Sequence, residues 1–422
     1  MLGTPALVAA DDRIARIRQG DLAVHILDPQ RRPLAGRPVH IRQSAGDFYF
    51  GTCISADPAS SDAHEQAYLQ YIRTRFTTLV CENAMKWYAI GKEPGAMDFA
   101  RADQLLQFAR QNRLAMRGHC LFWSKQRFVQ QWVQDLSDAD LRQAIDRHLE
   151  AVVGRYRGQL IAWDVYNEML DGSYYENRLG QDIAAHFFRR AHQIDPRTPL
   201  FVNEYNIIDS DARTEKLIQL IARLRDAGAV IGGIGIQEHA AERFSGRPTP
   251  PDPLHPERAN MPPVDAEGLL RRLDRLGELG LPIHLTEISF CTPDAQQRAE
   301  ALETFLRLAY SHPAVKAIML WGFWEQRHWL GPSAALVDGH WNSLPAGQRL
   351  DQLLLNDWRT HLTAMTDADG IASFRGFFGR YEIEGQEVTL TEQQPSAQCV
   401  LAVAGQPAPR LNAPEFAKPR RH

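Results

Sequence analysis

Two glutamates stand at the ends of apolar runs: Glu168 closes WDVYNE and Glu287 closes HLTE. A carboxyl group there is costly to bury, and a pair of them flanking one bond can cleave an acetal. One donates a proton to the departing oxygen while the other attacks the anomeric carbon. Comparable positions gather Glu82, Asn83 and Lys86; His119 with Trp123 and Gln126; Asn167; Asn203 with Tyr205; Gln237 and His239; and Trp321 with Trp329. Rings stack on the C–H faces of sugars while amides and carboxylates bond hydroxyls, so the set suits a carbohydrate. No HxH or HExxH spacing falls at a strand end, and no metal or cofactor is expected.

These residues need elements that bring them to one place. Eight β-branched or aromatic runs alternate with segments of helical period: FYFGTCI from Phe48, FTTLV from Phe76, LAMRGHC from Leu114, LIAWDVY from Leu160, PLFVN from Pro199, IGGIGIQ from Ile231, PIHLTE from Pro282 and AIMLWG from Ala317. Between them, Ser137 to Val153 carries Leu141, Ile145, Leu149 and Val152 on one face behind a Ser-x-x-Asp start. The alternation predicts an α/β protein, a closed (β/α)8 TIM barrel whose strand ends share one mouth. Strands four and seven lie across that ring from each other, so Glu168 and Glu287 can flank a bond. An open doubly wound sheet is the alternative, but Gly51 alone is no phosphate-binding turn.

The flanks break the alternation. Residues 1–47 read as a β flank, 48–362 as the barrel, 363–404 as a β-meander packing with the first flank into a small accessory β-module, and 405–422 as a disordered tail. The DADG run at Asp367 fits a turn better than a calcium loop. MLGTPALVAADD reads as a frayed terminus or a trimmed signal stump, without the charged start of a clear signal peptide. Net charge is −4 and no dense basic block occurs, so neither nucleic acid nor a membrane is an expected partner. Five cysteines without a CxxC pair predict buried reduced thiols, although Cys81 and Cys120, ending neighbouring strands, could bridge.

The motifs CENAMKW, GHCLFW, WDVYNE, NEYN, GIGIQEH, LTEIS and WGFWEQRHW, in this order, resemble glycoside hydrolase family 10, best known for retaining endo-β-1,4-xylanases. The resemblance covers about Phe48 to Leu362. It implies Glu168 as acid/base and Glu287 as nucleophile, with Asn167 on the 2-hydroxyl of the sugar being cleaved. His239 would hydrogen-bond Glu287 and Gln237 line the same place. Glu82, Asn83, Lys86, His119, Trp123 and Gln126 would form the glycone-side subsites, and Trp321 and Trp329 would wall the mouth. A retaining route calls for carboxyls roughly 5 to 5.5 Å apart, with a protonated acid beside a charged nucleophile.

Departures accompany the matches. Cys120, Ser124 and Lys125 replace the family's Thr, His and Ser, and Glu238 replaces a small residue. An extra cation and an extra anion near the mouth predict a decorated or acidic glycan as an alternative substrate. Tyr174 and Tyr175 could stack on leaving-group sugars, and the Pro-rich stretch Pro248–Pro263 could be a substrate wall or a plain connector. A non-catalytic carbohydrate-binding barrel is the alternative of another class. The expected partner is a polysaccharide or oligosaccharide, bound by a monomer. Export to the periplasm or medium follows from the resemblance alone.

Overall fold

The computed structural model describes residues 4–401. Two compact units divide the described residues: one holds Tyr49–Gln348, the other Leu7–Phe48 together with 349–401.

In the first unit all eight expected runs form strands: Tyr49–Ile54, Thr78–Cys81, Ala115–Arg117, Trp163–Asn167, Leu200–Tyr205, Gly233–Glu238, Ile283–Ile288 and Val315–Leu320. Four of them are buried at every position, as strands covered by helices must be. Neighbours pair in parallel, and the eighth strand pairs with the first. The third and fourth meet through a parallel bridge between Gly118 and Trp163, which closes the ring. A Cβ at position 118 would lie 2.2 Å from the Trp163 ring, so only glycine permits that approach. A two-residue strand, Phe122–Trp123, adds a further rung beside the fourth strand. The fold is thus the (β/α)8 barrel that the alternation predicts.

The helix Asp138–Arg155 starts where the capping signal put it: Ser137 accepts a hydrogen bond from the Asp140 N–H, and Leu141, Ile145, Leu149 and Val152 are buried. The N-terminal segment is neither frayed nor extended over Thr4–Ile17 but helical, with Ala10 and Ile14 buried. Alanines and straight-chain residues favour that outcome, and the apolar residues four apart give the helix a face to bury.

The second unit contains a three-stranded and a four-stranded sheet. Strand Gln19–Leu27 pairs with Ile371–Phe377 and Ser396–Val400, and strand Pro38–Gly46 with His361–Met365 and Gly379–Ile383. Alternate burial along Pro38–Gly46 marks a sheet with one wet face. Val24, Ile26, Val39, Ile41, Tyr381, Ile383 and Leu390 share one apolar core. The second segment of this unit begins at Arg349, ahead of the Leu362 boundary expected from sequence, and strand His361–Met365 pairs here. The DADG run is a turn, with Asp367 Oδ1 accepting from the Asp369 and Ile371 N–H groups. The expected disordered tail, 405–422, lies outside the described residues. All five cysteines are buried and free, so Cys81 and Cys120 do not bridge.

Candidate active site

The seventh strand shifts register around Thr286 against both neighbours. Such a bulge re-aims side chains, and here it lets consecutive residues reach one amide. Thr286 Oγ1 donates to Asn203 Oδ1 (2.6 Å), while Asn203 Nδ2 donates to Glu287 Oε1 (2.8 Å). Asn203 Nδ2 also reaches Asn167 Oδ1 (2.9 Å), which accepts a second bond from Gln237 Nε2 (3.0 Å). With its oxygen occupied twice, Asn167 presents its Nδ2 group, 3.4 Å from Glu168 Oε1. Gly235 leaves room for this arrangement: a Cβ there would lie 2.4 Å from Asn203 Oδ1.

Imidazoles complete the surroundings of Glu287. His119 Nδ1 bonds Asp164 Oδ2 (3.0 Å) and lies 3.8 Å from Glu287 Oε1. His239 Nε2 lies 3.5 Å from Glu287 Oε2, while Ser289 Oγ holds its Nδ1 at 3.2 Å. Burial alone would raise the Glu287 pKa, but His119, His239 and Lys86 outweigh it and bring it down to about 2. Glu287 is therefore a carboxylate at any ordinary pH.

Arg117, Asp164 and His284 form a buried ionic network inside the barrel. Arg117 donates to both Asp164 oxygens, and its Nη1 reaches His284 Nδ1 at 2.8 Å. Burial, then the guanidinium charge, hold His284 well below the usual imidazole range, so its Nδ1 is an acceptor. Sequence reasoning did not single out these three, nor the bridging role of Asn203. Their signal was available: charged residues in the middle of buried strands cannot stay unpaired.

Glu168 sits at the fourth strand's exit with φ = +63°, a region that residues other than glycine seldom adopt. Its N–H donates to Asn203 O (2.9 Å), and Ser124 Oγ donates to its carbonyl (2.5 Å). The fully buried Glu204 accepts from the Met169 and Leu170 N–H groups, anchoring the turn that follows. Burial pushes Glu204 up to about 8; those two bonds oppose the rise, and the charges of Glu168 and Asp171 add to it. Lys125 Nζ lies 2.6 Å from Glu168 Oε2.

The remaining expected site residues fall as follows. Asn83 Oδ1 accepts from Lys86 Nζ (3.1 Å) and the Tyr88 hydroxyl (2.7 Å). Glu82 is half-buried, and burial raises its pKa against the pull of Lys86. Trp123 stacks on Phe128 and lies 4.7 Å from Lys86 Nζ. Trp321 is buried edge-on to His119, whereas Trp329, edge-on to His239, is 52% exposed. Gln126 is exposed and bonds Gln134 (2.8 Å). Tyr205 lies beneath Lys125 Nζ, 4.6 Å from its ring centroid.

Two expectations are corrected. Tyr174 and Tyr175 are buried, Tyr175 against Phe122, Tyr166 and Phe187, because the short helix Tyr174–Leu179 turns them into the core. Glu238 is not an anion of the mouth: it is fully buried, accepts from the Ala240 N–H, and burial with neighbouring Asp209 holds its carboxyl well above the usual range. Lys125 is an extra cation, but it is paired with Glu168. In the Pro-rich loop, Arg258 Nη1 donates to the His239 carbonyl (2.7 Å), tying that loop to a site residue.

A closed (β/α)8 barrel whose fourth and seventh strands end in glutamates joined through asparagines defines a protein of the glycoside hydrolase class. The chain belongs to glycosyl hydrolase family 10, whose profile matches residues 40–352. It is 34% identical over 374 residues to the anti-sigma-I factor RsgI6 of Acetivibrio thermocellus, covering 89% of this chain and 46% of that protein. It is 35% identical over 372 residues to endo-1,4-beta-xylanase 1 of Arabidopsis thaliana, covering 87% and 36%. The chain thus spans less than half the length of these two relatives. Among solved structures, xylanase 10B of Thermotoga petrophila RKU-1 in complex with xylobiose superposes with a TM-score of 0.64 at 25% identity, covering 73% of this chain and 94% of that one.

Proposed function

We propose that this chain is a retaining endo-1,4-β-xylanase, acting as a monomer on xylan-type polysaccharide or oligosaccharide. Glu287 is the nucleophile: its carboxylate attacks the anomeric carbon as Glu168 passes a proton to the departing glycosidic oxygen. This forms a glycosyl ester and frees the leaving sugar. Water then gives a proton to Glu168 and attacks the same carbon, releasing Glu287. Asn167 holds the 2-hydroxyl through its Nδ2 group, and Glu82, Asn83, Lys86, His119, Trp123, Gln126 and Gln237 serve the glycone side. Tyr205 serves the leaving-group side, with Trp321 and Trp329 as walls.

The observation that carries this reading is the Asn203 bridge. One amide fixes both the ionised Glu287 and the amide beside Glu168, so the two carboxyls are held as one constellation. The xylanases among the relatives supply the glycan class. A binding-only barrel would show no turnover at all. Assay of aryl β-xylobioside and a polysaccharide panel with wild type and Glu287→Gln tests the reading. Turnover on xylan, absent in the variant, is expected, and activity surviving the change contradicts the assigned nucleophile. The product profile on linear xylan tells internal from terminal cleavage.

A further inference from the structure

We propose that Lys125 is a positioning residue for proton transfer, which fixes Glu168 so that its Oε1, not Oε2, carries the proton to the leaving oxygen; this rests on Glu168 being the acid/base. Lys125 Nζ lies 2.6 Å from Glu168 Oε2, 3.5 Å from the Tyr205 hydroxyl and 4.6 Å from the Tyr205 ring centroid. An oxygen that accepts so short a bond from an ammonium group is the poorer place for a proton. The other oxygen lies 3.4 Å from the Asn167 amide, the one hydrogen-bond donor at it among the described residues. That amide is also the group proposed to hold the sugar being cleaved, so Oε1 is the oxygen turned toward the reacting bond.

The clamp is built into the barrel. Lys125 follows Ser124, which is buried and bonds the Glu168 carbonyl, so one short segment grips both the backbone and the carboxyl of Glu168. Arg213, in the helix Asp211–Asp226, forms a bidentate pair with Asp171 and lies 5.4 Å from the centroid of the same Tyr205 ring. The proton balance is simple: in the first step the Oε1 proton goes to the glycosidic oxygen, in the second Oε1 takes one from water, and the ammonium keeps its own throughout. Lys125 occupies a position where the resemblance leads one to expect serine, so this device belongs to this chain's own sequence.

The test compares a substrate whose leaving group needs a proton, xylotetraose, with one that does not, 2,4-dinitrophenyl β-xylobioside, by kcat/KM, which reports the first step. Lys125→Met is expected to lose at least about tenfold more on xylotetraose than on the aryl substrate, and Lys125→Arg to regain most of that difference. Equal losses on both substrates, or none on either, overturn the proposal. Thermal unfolding of each variant checks that it is folded, and in a destabilised variant the ratio of the two losses remains the readout. Glu168→Ala is the control for the underlying reading: if it leaves xylotetraose turnover intact, the acid/base assignment fails, whatever Lys125 does.

Discussion

The exits of the seventh and fourth strands each carry a glutamate, and they are built differently. Glu287 is gripped on both oxygens by Asn203, His119 and His239, on a bulged strand backed by the Arg117, Asp164 and His284 network. Glu168 hangs on a left-handed backbone turn, with a lysine at one oxygen and a distant amide at the other. On the roles proposed for the two glutamates, the difference teaches how one barrel would separate two tasks. A nucleophile must stay ionised and aimed, which calls for many fixed partners. A group that gives and takes protons must keep one oxygen open to substrate and water.

Variants at the two exits should break this contrast in graded ways. Glu287→Gln is expected to have the largest effect, lowering kcat on xylan by at least about 10⁴-fold, since nothing else can form the ester. Glu168→Ala should cost about 10²- to 10⁴-fold on xylan but far less in the first step with a dinitrophenyl leaving group. Azide should rescue its second step, giving a glycosyl azide of retained configuration in the product spectrum. Asn203→Ala, which strips donors from Glu287 and Asn167 together, should lower kcat on the order of 10²-fold and destabilise the fold by about 1–3 kcal/mol in denaturant titration.

The smallest expected effect concerns the turn behind Glu168. Glu204 has its pKa raised from 4.5 to about 8 in the folded chain, so the native state holds a proton that the unfolded chain releases earlier. Its stabilising protonation is complete below about pH 4.5 and is lost as pH rises through 8. Melting curves from pH 5 to 9 should therefore fall less steeply for Glu204→Gln, with the two proteins' shifts differing by roughly 5–7 °C. Parallel curves would show that Glu204 does not titrate in this window.

Much of the barrel was legible because its strands are apolar throughout and end abruptly in polar residues. The eight runs, the cap at Ser137 and the strand-end set around Glu168 and Glu287 follow from that pattern. Partners were not legible. Lys125 and Glu238 read alike as stray charges, yet one reaches across a loop to Glu168, and the other turns to Asp209 and Ala240 in the buried interior. A strand's alternation does not say what packs behind it. Tyr174 and Tyr175 failed for a related reason: a short helix carries no periodic signal for the face it buries. The bulge at Thr286, which makes the Asn203 bridge, is a register event between strands and leaves no mark in a single strand's sequence.

The most direct measurement of the central claim is covalent trapping. Incubation with 2,4-dinitrophenyl 2-deoxy-2-fluoro-β-xylobioside, followed by peptide mass spectrometry, is expected to place one fluoroxylobiosyl group on the peptide carrying Glu287, with activity lost in step. Labelling of another residue, or full turnover with an inverted product and no trapped ester, would contradict the account.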